Sequence, residues 1–326
     1  MPEGFVLNED DLVVVMTEQA EGLLGSPALI PESNYYLHNQ RIGLIVDLNE
    51  GKLEKKYLYY LFNTREVRHQ ISSSASGTKV RHTSPGRIEQ VKINLPPLTM
   101  QRKVVSVLSA YEDMMANNRR RMALLEESAR IPYREWFVHL RFPGHEHTRT
   151  INGVPEGWKR VPLEEALVLQ RGFDLPKQDR EEGIVPVYAS TGQNGYHSKA
   201  KVKGPGVVTG RSGTLGVVHY IAGDFWPLNT TLWVREFKRV SPIYACFLLQ
   251  ELKLEQYNGG VSVPTLDRKV VHRLPILIPH QRLVKLLDEY VGPIFAQLEN
   301  IRVQNEKLKQ ACDLLLPKLM SGEIAV

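Results

Sequence analysis

The residues best suited to chemistry lie among glycines between positions 170 and 216. One stretch is Gln170-Arg171-Gly172-Phe173-Asp174-Leu175-Pro176-Lys177-Gln178-Asp179-Arg180, and a second is Gln193-Asn194-Gly195-Tyr196-His197-Ser198-Lys199. A third runs through Lys201 and Lys203 to Gly210-Arg211-Ser212-Gly213-Thr214. Arg and Lys suit phosphates and guanine edges, Asn and Gln suit adenine edges, and glycine lets backbone amides approach a ligand closely. No acidic residue falls between Lys199 and Arg211. Any one such loop could equally be an ordinary solvated turn. Three in one segment favour a polyanion partner. A smaller set, Lys79, Arg81, His82 and Arg87, follows Ser76-Gly77-Thr78 and is opposed weakly by Glu89.

Signatures of catalysis are near misses. The stretch Gly204 to Ser212 has the glycines of a phosphate loop, but the spacing is wrong and Arg211 stands where a lysine must reach the phosphates. Asn94-Leu95-Pro96-Pro97 has a broken order and no following aromatic for an amino-methyltransferase motif. His145-Glu146-His147 has no further ligands nearby, so no metal is expected. Cys246 and Cys312 are too few for a disulfide framework or a zinc cage. The chain reads as a reader of its partner rather than a catalyst.

Two modules must position these loops. The 326 residues suffice for two domains, and 42 % apolar with 24 % charged residues is an ordinary globular balance. The longest apolar run near the start, Leu12–Met16, is too short to span a bilayer, and Glu3, Glu9, Asp10 and Asp11 oppose a secretory signal. A soluble, cytoplasmic protein is expected. Net charge is only +5, so the placement of charge matters more than its sum.

The chain repeats itself. Leu37-His38-Asn39-Gln40, Leu58 to Phe62, Ser76-Gly77-Thr78, Leu95-Pro96 and Gln101-Arg102 recur in order as Leu228-Asn229-Thr230-Thr231, Tyr244 to Leu248, Gly259-Gly260-Val261, Leu274-Pro275 and Gln281-Arg282. Each copy ends in a long helical pattern. The first seam runs Val104, Leu108, Tyr111, Met115, Asn118, Met122, Leu125 and Ala129. The second includes Val284, Leu287, Val291, Ile294, Leu298, Ile301, Asn305 and Leu308 and continues to Leu319. Steps of four and three over several heptads, with one Asn per seam, predict an antiparallel coiled coil, each helix a rod of roughly 54 Å. Pro293 should bend the second helix or mark its effective start. Strands are predicted at 184–188, 207–209, 217–221 and 231–234. A helix capped by Ser241, opened by Pro242 and ended by Gly259-Gly260 matches one from Glu54 to Ile71. The fold class is α+β, with two mixed α/β modules separated by two long helices. The boundaries are 1–97 for a first recognition domain, 98–140 for a first spacer helix and 141–152 for a linker. The second domain spans 153–277, and the second spacer helix with its tail 278–326.

These residues resemble the specificity subunit of type I restriction–modification systems. The resemblance rests on the Leu-Pro and Gln-Arg helix starts, Arg134-Glu135-Trp136-Phe137, Gly157-Trp158 and the loops containing Arg171 and Arg211. It also rests on Leu228–Val234 and on Leu315 to Ile324. It implies two target-recognition domains, each reading half of a split double-stranded DNA site, on a chain without an active site. Implied partners are two methyltransferase subunits and restriction (endonuclease/translocase) subunits. The complex would be a site-specific deoxyribonuclease and adenine-N6 DNA methyltransferase. S-adenosylmethionine, ATP and Mg2+ would then belong to the partners and no cofactor to this chain.

One departure stands out. The second module has 78 residues from Ile151 to Leu228 before Asn229, whereas 38 precede Asn39, so the first is some 40 residues shorter. The first domain is expected to be incomplete, and either degenerate or completed by another chain through self-association. The competing reading is a coiled-coil adaptor or regulator that binds protein without sequence-specific DNA recognition. Salt-sensitive binding to duplex DNA separates the two.

Overall fold

The computed structural model describes residues 5–19 and 22–325. The chain divides into two compact units, Met1–Arg119 with Val303–Val326, and Arg120–Arg302, so the division cuts both long helices.

In the first unit, β1 (Leu12–Val15) lies between β2 (Pro27–Leu29) and β3 (Ile42–Leu44), all antiparallel. Two helices follow, α1 (Lys55–Phe62) and α2 (Arg65–Ser73), where the sequence predicts one. The break is chemical. Thr64 donates its hydroxyl to the Leu61 carbonyl and accepts from the Val67 amide, closing one helix while capping the next. The expected apolar face is nevertheless present, because Leu58, Leu61 and Phe62 are all buried. A short helix, α3 (Pro85–Glu89), precedes α4 (Leu98–Tyr133). Gln101 locks the start of α4. Its side chain accepts from the Glu54 amide and donates to the Lys52 and Pro96 carbonyls.

The second unit holds β4 (Lys159–Pro162), β5 (Leu167–Arg171), β6 (Val185–Ala189), β7 (Gly192–His197), β8 (Gly206–Gly210), β9 (Val218–Ile221), β10 (Trp226–Pro227), β11 (Thr231–Phe237) and, after two helices, β12 (Pro275–Ile278). The main sheet has the order β9-β8-β11-β5, a smaller one β7-β6-β10, and β12 pairs with β4. Helix α5 (Pro242–Glu251) starts as predicted, with Ser241 Oγ accepting from the Tyr244 amide at 3.1 Å. It ends earlier than predicted. Lys253 takes a left-handed conformation (φ 47°), which stops the helix well before Gly259. Asp267 caps α6 (Arg268–His272).

Aromatic residues knit this unit together. Phe137, in a π-helical turn at Arg134–Val138, contacts Tyr133, Trp158 and Tyr244, with the last ring centroid at 4.9 Å. Phe137 and Trp158 of the two aromatic motifs are thus core residues, with Trp136 packed partly buried against them.

Helix α7 (Gln281–Ser321) is continuous through Pro293 and Pro317, so Pro293 does not mark a start. Position 293 is exposed, where loss of an amide bond costs least. Both seams hold. Leu108, Ala129, Leu287, Val291, Leu298 and Ile301 are buried, and Tyr111, Met115, Met122, Leu125, Ile294 and Leu308 are partly so. Within the first unit, Leu108 shares a core with Leu315 and Leu319, while Asn118 donates to Asn305 at 2.9 Å. Rising numbers on one helix thus meet falling numbers on the other. Asn118 is only 7 % exposed, and the bond satisfies two amides that a slip in register would strand.

Candidate nucleic-acid interface

The same hydrogen bonds build both modules. Val15 opposes Ile42 as Gly210 opposes Thr231, and the Met16 amide donates to the Arg41 carbonyl as the Arg211 amide does to Thr230. The Thr83 amide donates to Met16 as the Leu266 amide does to Arg211. The Ser76 amide meets the His82 carbonyl as Gly259 meets Thr265. The repeat is real, but one segment has slipped. The turn that closes on Asn39 in the first module closes on Leu228 in the second, two residues away from the pairing the sequence suggests.

In the second unit, β5 and β8 flank β11 and are both antiparallel to it, so their C-terminal ends lie at one end of the sheet. Arg171 ends β5, and Arg211 follows β8. Arg211 donates Nε–H to the Asn229 carbonyl at 3.0 Å. Partial burial, followed by the charge of Arg171, lowers its pKa, as expected of two guanidiniums sharing one edge. Ser212 is held there by its amide on the Thr230 carbonyl, and the β6–β7 hairpin is tied in by the Ser190 amide on Thr230 Oγ1. Glycines allow the packing. A Cβ on Gly172 would collide with the Leu228 carbonyl, and one on Gly210 with the Thr214 carbonyl.

The structure sorts the candidate residues into two groups. Arg171, Lys177, Gln193, Lys203 and Thr214 are exposed, and among the described residues none of the three cations has an ion-pair partner. Lys201 lies over the rings of Phe173 and Trp226, at 5.1 and 5.6 Å from their centroids. The other group is engaged within the fold. Arg180 clasps Asn194 through its backbone and side-chain oxygens, and Lys199 pairs with Glu181 at 3.4 Å. His197 is 5 % exposed, accepts from the Glu181 amide and packs edge-on against Trp226. Asn229 and Thr230, which the sequence reading does not single out for DNA contact, lie beside the arginine pair and the hairpin. Their signal is a polar run at the mouth of a buried strand.

The first unit's basic set is mostly engaged. Arg81 pairs with Glu18 at 3.3 Å and bonds the Ser72 carbonyl. Glu18 is 4 % exposed. Burial alone would raise its pKa, but the Leu24 and Leu23 amides and Arg81 outweigh this and hold it below the usual value. His82 Nδ1 meets Thr17 Oγ1 at 3.0 Å, and Arg87 donates to Ser76 Oγ. Lys79 is exposed, with no ion-pair partner among the described residues.

The sequence model of the type I restriction modification DNA specificity domain matches residues 3–127 and 155–310. The chain belongs to this family. The specificity subunit of the type I restriction enzyme MjaIX of Methanocaldococcus jannaschii is 23 % identical over an alignment of 299 positions that covers 83 % of this chain and 69 % of the relative. The EcoBI specificity subunit of Escherichia coli is 21 % identical over a gapped alignment of 377 positions that covers 99 % of this chain and 76 % of the relative. Among solved structures, the type I S subunit from M. genitalium superposes with a TM-score of 0.56 at 16 % identity, covering 97 % of this chain and 84 % of that one. The repeated module is therefore the target-recognition fold of a DNA specificity subunit. Among the described residues, no helix is long and apolar enough to cross a membrane.

Proposed function

We propose that this chain reads a bipartite duplex DNA target and docks methyltransferase and restriction subunits along its two long helices. The second domain, taken as 153–277, supplies the dominant half-site contacts. The observation that carries this reading is the cluster at one end of its main sheet, with Arg171 and Arg211 beside Asn229 and Ser212. Among the described residues neither guanidinium has an ion-pair partner, the nearby Asp174 carboxylate being engaged by the Asn229 side-chain amide. Such a pair suits phosphate or guanine, and the bound backbone around it favours a fixed geometry. The chain itself supplies no group transfer. S-adenosylmethionine, ATP and Mg2+ act in the partner subunits, whose products are methylated adenine or cleaved DNA.

The test is DNA modification mapping in cells carrying this chain with a methyltransferase partner, alongside salt-dependent binding of the purified complex. A two-part methylated motif and a steep loss of affinity with salt are expected. Absence of methylation together with salt-insensitive binding would leave a protein-binding adaptor instead. The helices also act as a ruler in this reading. Adding one heptad to each should widen the gap in the target by about 10 Å, roughly three base pairs. An unchanged gap would reduce the helices to a protein dock.

A further inference from the structure

The two modules differ at one sheet edge. In the second, β11 pairs on one side with β8 and on the other with β5. In the first, β3 pairs with β1, and among the described residues no strand pairs with its outer side. The register equivalence makes Gly43 the counterpart of Leu232, Leu44 of Trp233 and Ile45 of Val234. These are the residues that β5 faces, as Arg171, Gln170 and Leu169 respectively.

A groove of about 370 Å³ occupies this place, lined by Ile42, Gly43, Leu44, His38, Ile88 and Glu89 among others. Its far wall is α3, and α3 is the twin of α6, since Ser84 and Asp267 occupy the same N-cap position after equivalent bonds to Met16 and Arg211. In the second module α6 holds β5 directly, with His272 Nε2 accepting the Leu169 amide at 2.9 Å. Counting from the caps, Glu89 stands where His272 does, and its carboxylate is also an acceptor. A second sign is His38 Nε2, which lines the groove, is shielded from solvent and has no hydrogen-bond partner. Val46, which also lines the groove, is 63 % exposed.

We infer that this groove accepts an extended strand from a separate polypeptide, which pairs with β3 as β5 pairs with β11. The inference rests on the DNA-reading assignment only for its consequence, since an added strand would complete the first recognition domain. The chemistry of the strand follows from its twin, Leu167–Arg171. Apolar residues two apart enter the groove, as Leu167 and Leu169 are fully buried in the second module. Acidic residues are disfavoured because Glu89 is the one charged side chain in the lining. Main-chain bonds to an exposed edge give affinity, and alternate side chains give selectivity.

The probe is a fluorescein-labelled peptide of residues 166–172, which holds the twin strand without its flanking acids, titrated with the full chain. Hydrogen exchange of 41–46 and duplex DNA binding are followed in parallel. Saturable one-to-one binding is expected, with slower exchange at 41–46. Leu167→Asp with Leu169→Asp in the peptide should weaken binding at least about tenfold, through loss of apolar burial and repulsion by Glu89. Glu89→Arg, an exposed change that should fold normally, should weaken it several-fold. No binding, or binding unaffected by Glu89→Arg, would overturn the inference, the latter because the peptide would be displacing β5 or adhering elsewhere. A dimer whose 41–46 already exchange slowly would also overturn it, because a second copy would then cover the groove. Intact sequence-specific DNA binding alongside a peptide that fails would sink this inference alone and leave the function standing.

Discussion

After β1 the chain passes through Met16 into a two-residue strand, Thr17–Glu18; after β8 it passes through Arg211 to Ser212 and Gly213. The two segments are bonded in the same register, and their partners, Arg81–His82 and Pro264-Thr265, occupy the same place. In the first module an acid is buried in this segment and captures the arginine opposite it. In the second, glycine and proline stand at those positions, and the arginine sits two residues earlier at the sheet's end. An arginine's presence is therefore no guide to its use. The carboxylate within reach decides.

The sharpest way to break this comparison is at Gly210. Its counterpart in register is Val15, so the first module accepts a side chain there. In the second, the Thr214 carbonyl folds back over the site. Gly210→Ala should destabilise the second unit by about 3 kcal/mol, whereas Val15→Ala should cost the first only about 1 kcal/mol. Thermal unfolding of each variant measures both, and equal costs would mean the two segments are not differently packed.

Next in size is Glu18. Removing it as Glu18→Ala leaves Arg81 half-buried and unpaired and frees two amides, at a cost of about 2 kcal/mol after allowance for the partial exposure of Arg81. The effect should be confined to the first unit's unfolding transition. It also has a pH signature. The folded pKa of Glu18 lies below the ordinary 4.5, so its contribution is fully present above that value and is lost as pH falls through the folded pKa. Denaturant melts from pH 7 to pH 3 should show a steeper loss in the parent protein than in Glu18→Gln. Parallel curves would show that Glu18 gains nothing from its partners.

Arg211→Ala probes the other side of the comparison. A lost base contact should weaken binding by roughly 1–3 kcal/mol and relax one target position, while a lost phosphate contact should lower the salt slope by about one. Lys177→Ala should lower the slope alone. If neither variant changes affinity or slope, the loops do not face DNA. The smallest effect is expected at Lys79→Ala, a change in slope of at most about one with no change in target. A relaxed target position there would show that the first module reads bases after all.

Much of this was legible from sequence, for reasons that differ by element. Heptad spacing and alternation record burial directly, so the seams from Val104 and Val284 are legible, as are the strands read at 207–209 and 231–234, which the structure extends to 206–210 and 231–237. The end of α5 is not, because the left-handed turn at Lys253 is favoured by no local residue preference. The break at Thr64 was hidden by an apolar face that continues across it. Matching Leu37 to Leu228 by identity placed that segment two residues out, since backbone bonds and not side chains fix the register. Arg81 and Arg211 were indistinguishable as sequence, because Glu18 lies 63 residues from the arginine it captures.

The glycine packing at positions 172 and 210 has a consequence for how such a protein changes over time. Backbone-to-carbonyl contacts hold these loops, while Arg171, Gln193, Lys203 and Thr214 project outward and are exposed. Replacing an exposed side chain of this kind usually alters stability by no more than about 0.5 kcal/mol. Such positions can drift through the amino-acid alphabet, and each variant still folds. A lineage under pressure to alter what it discriminates can therefore sample new preferences one residue at a time without passing through an unstable intermediate.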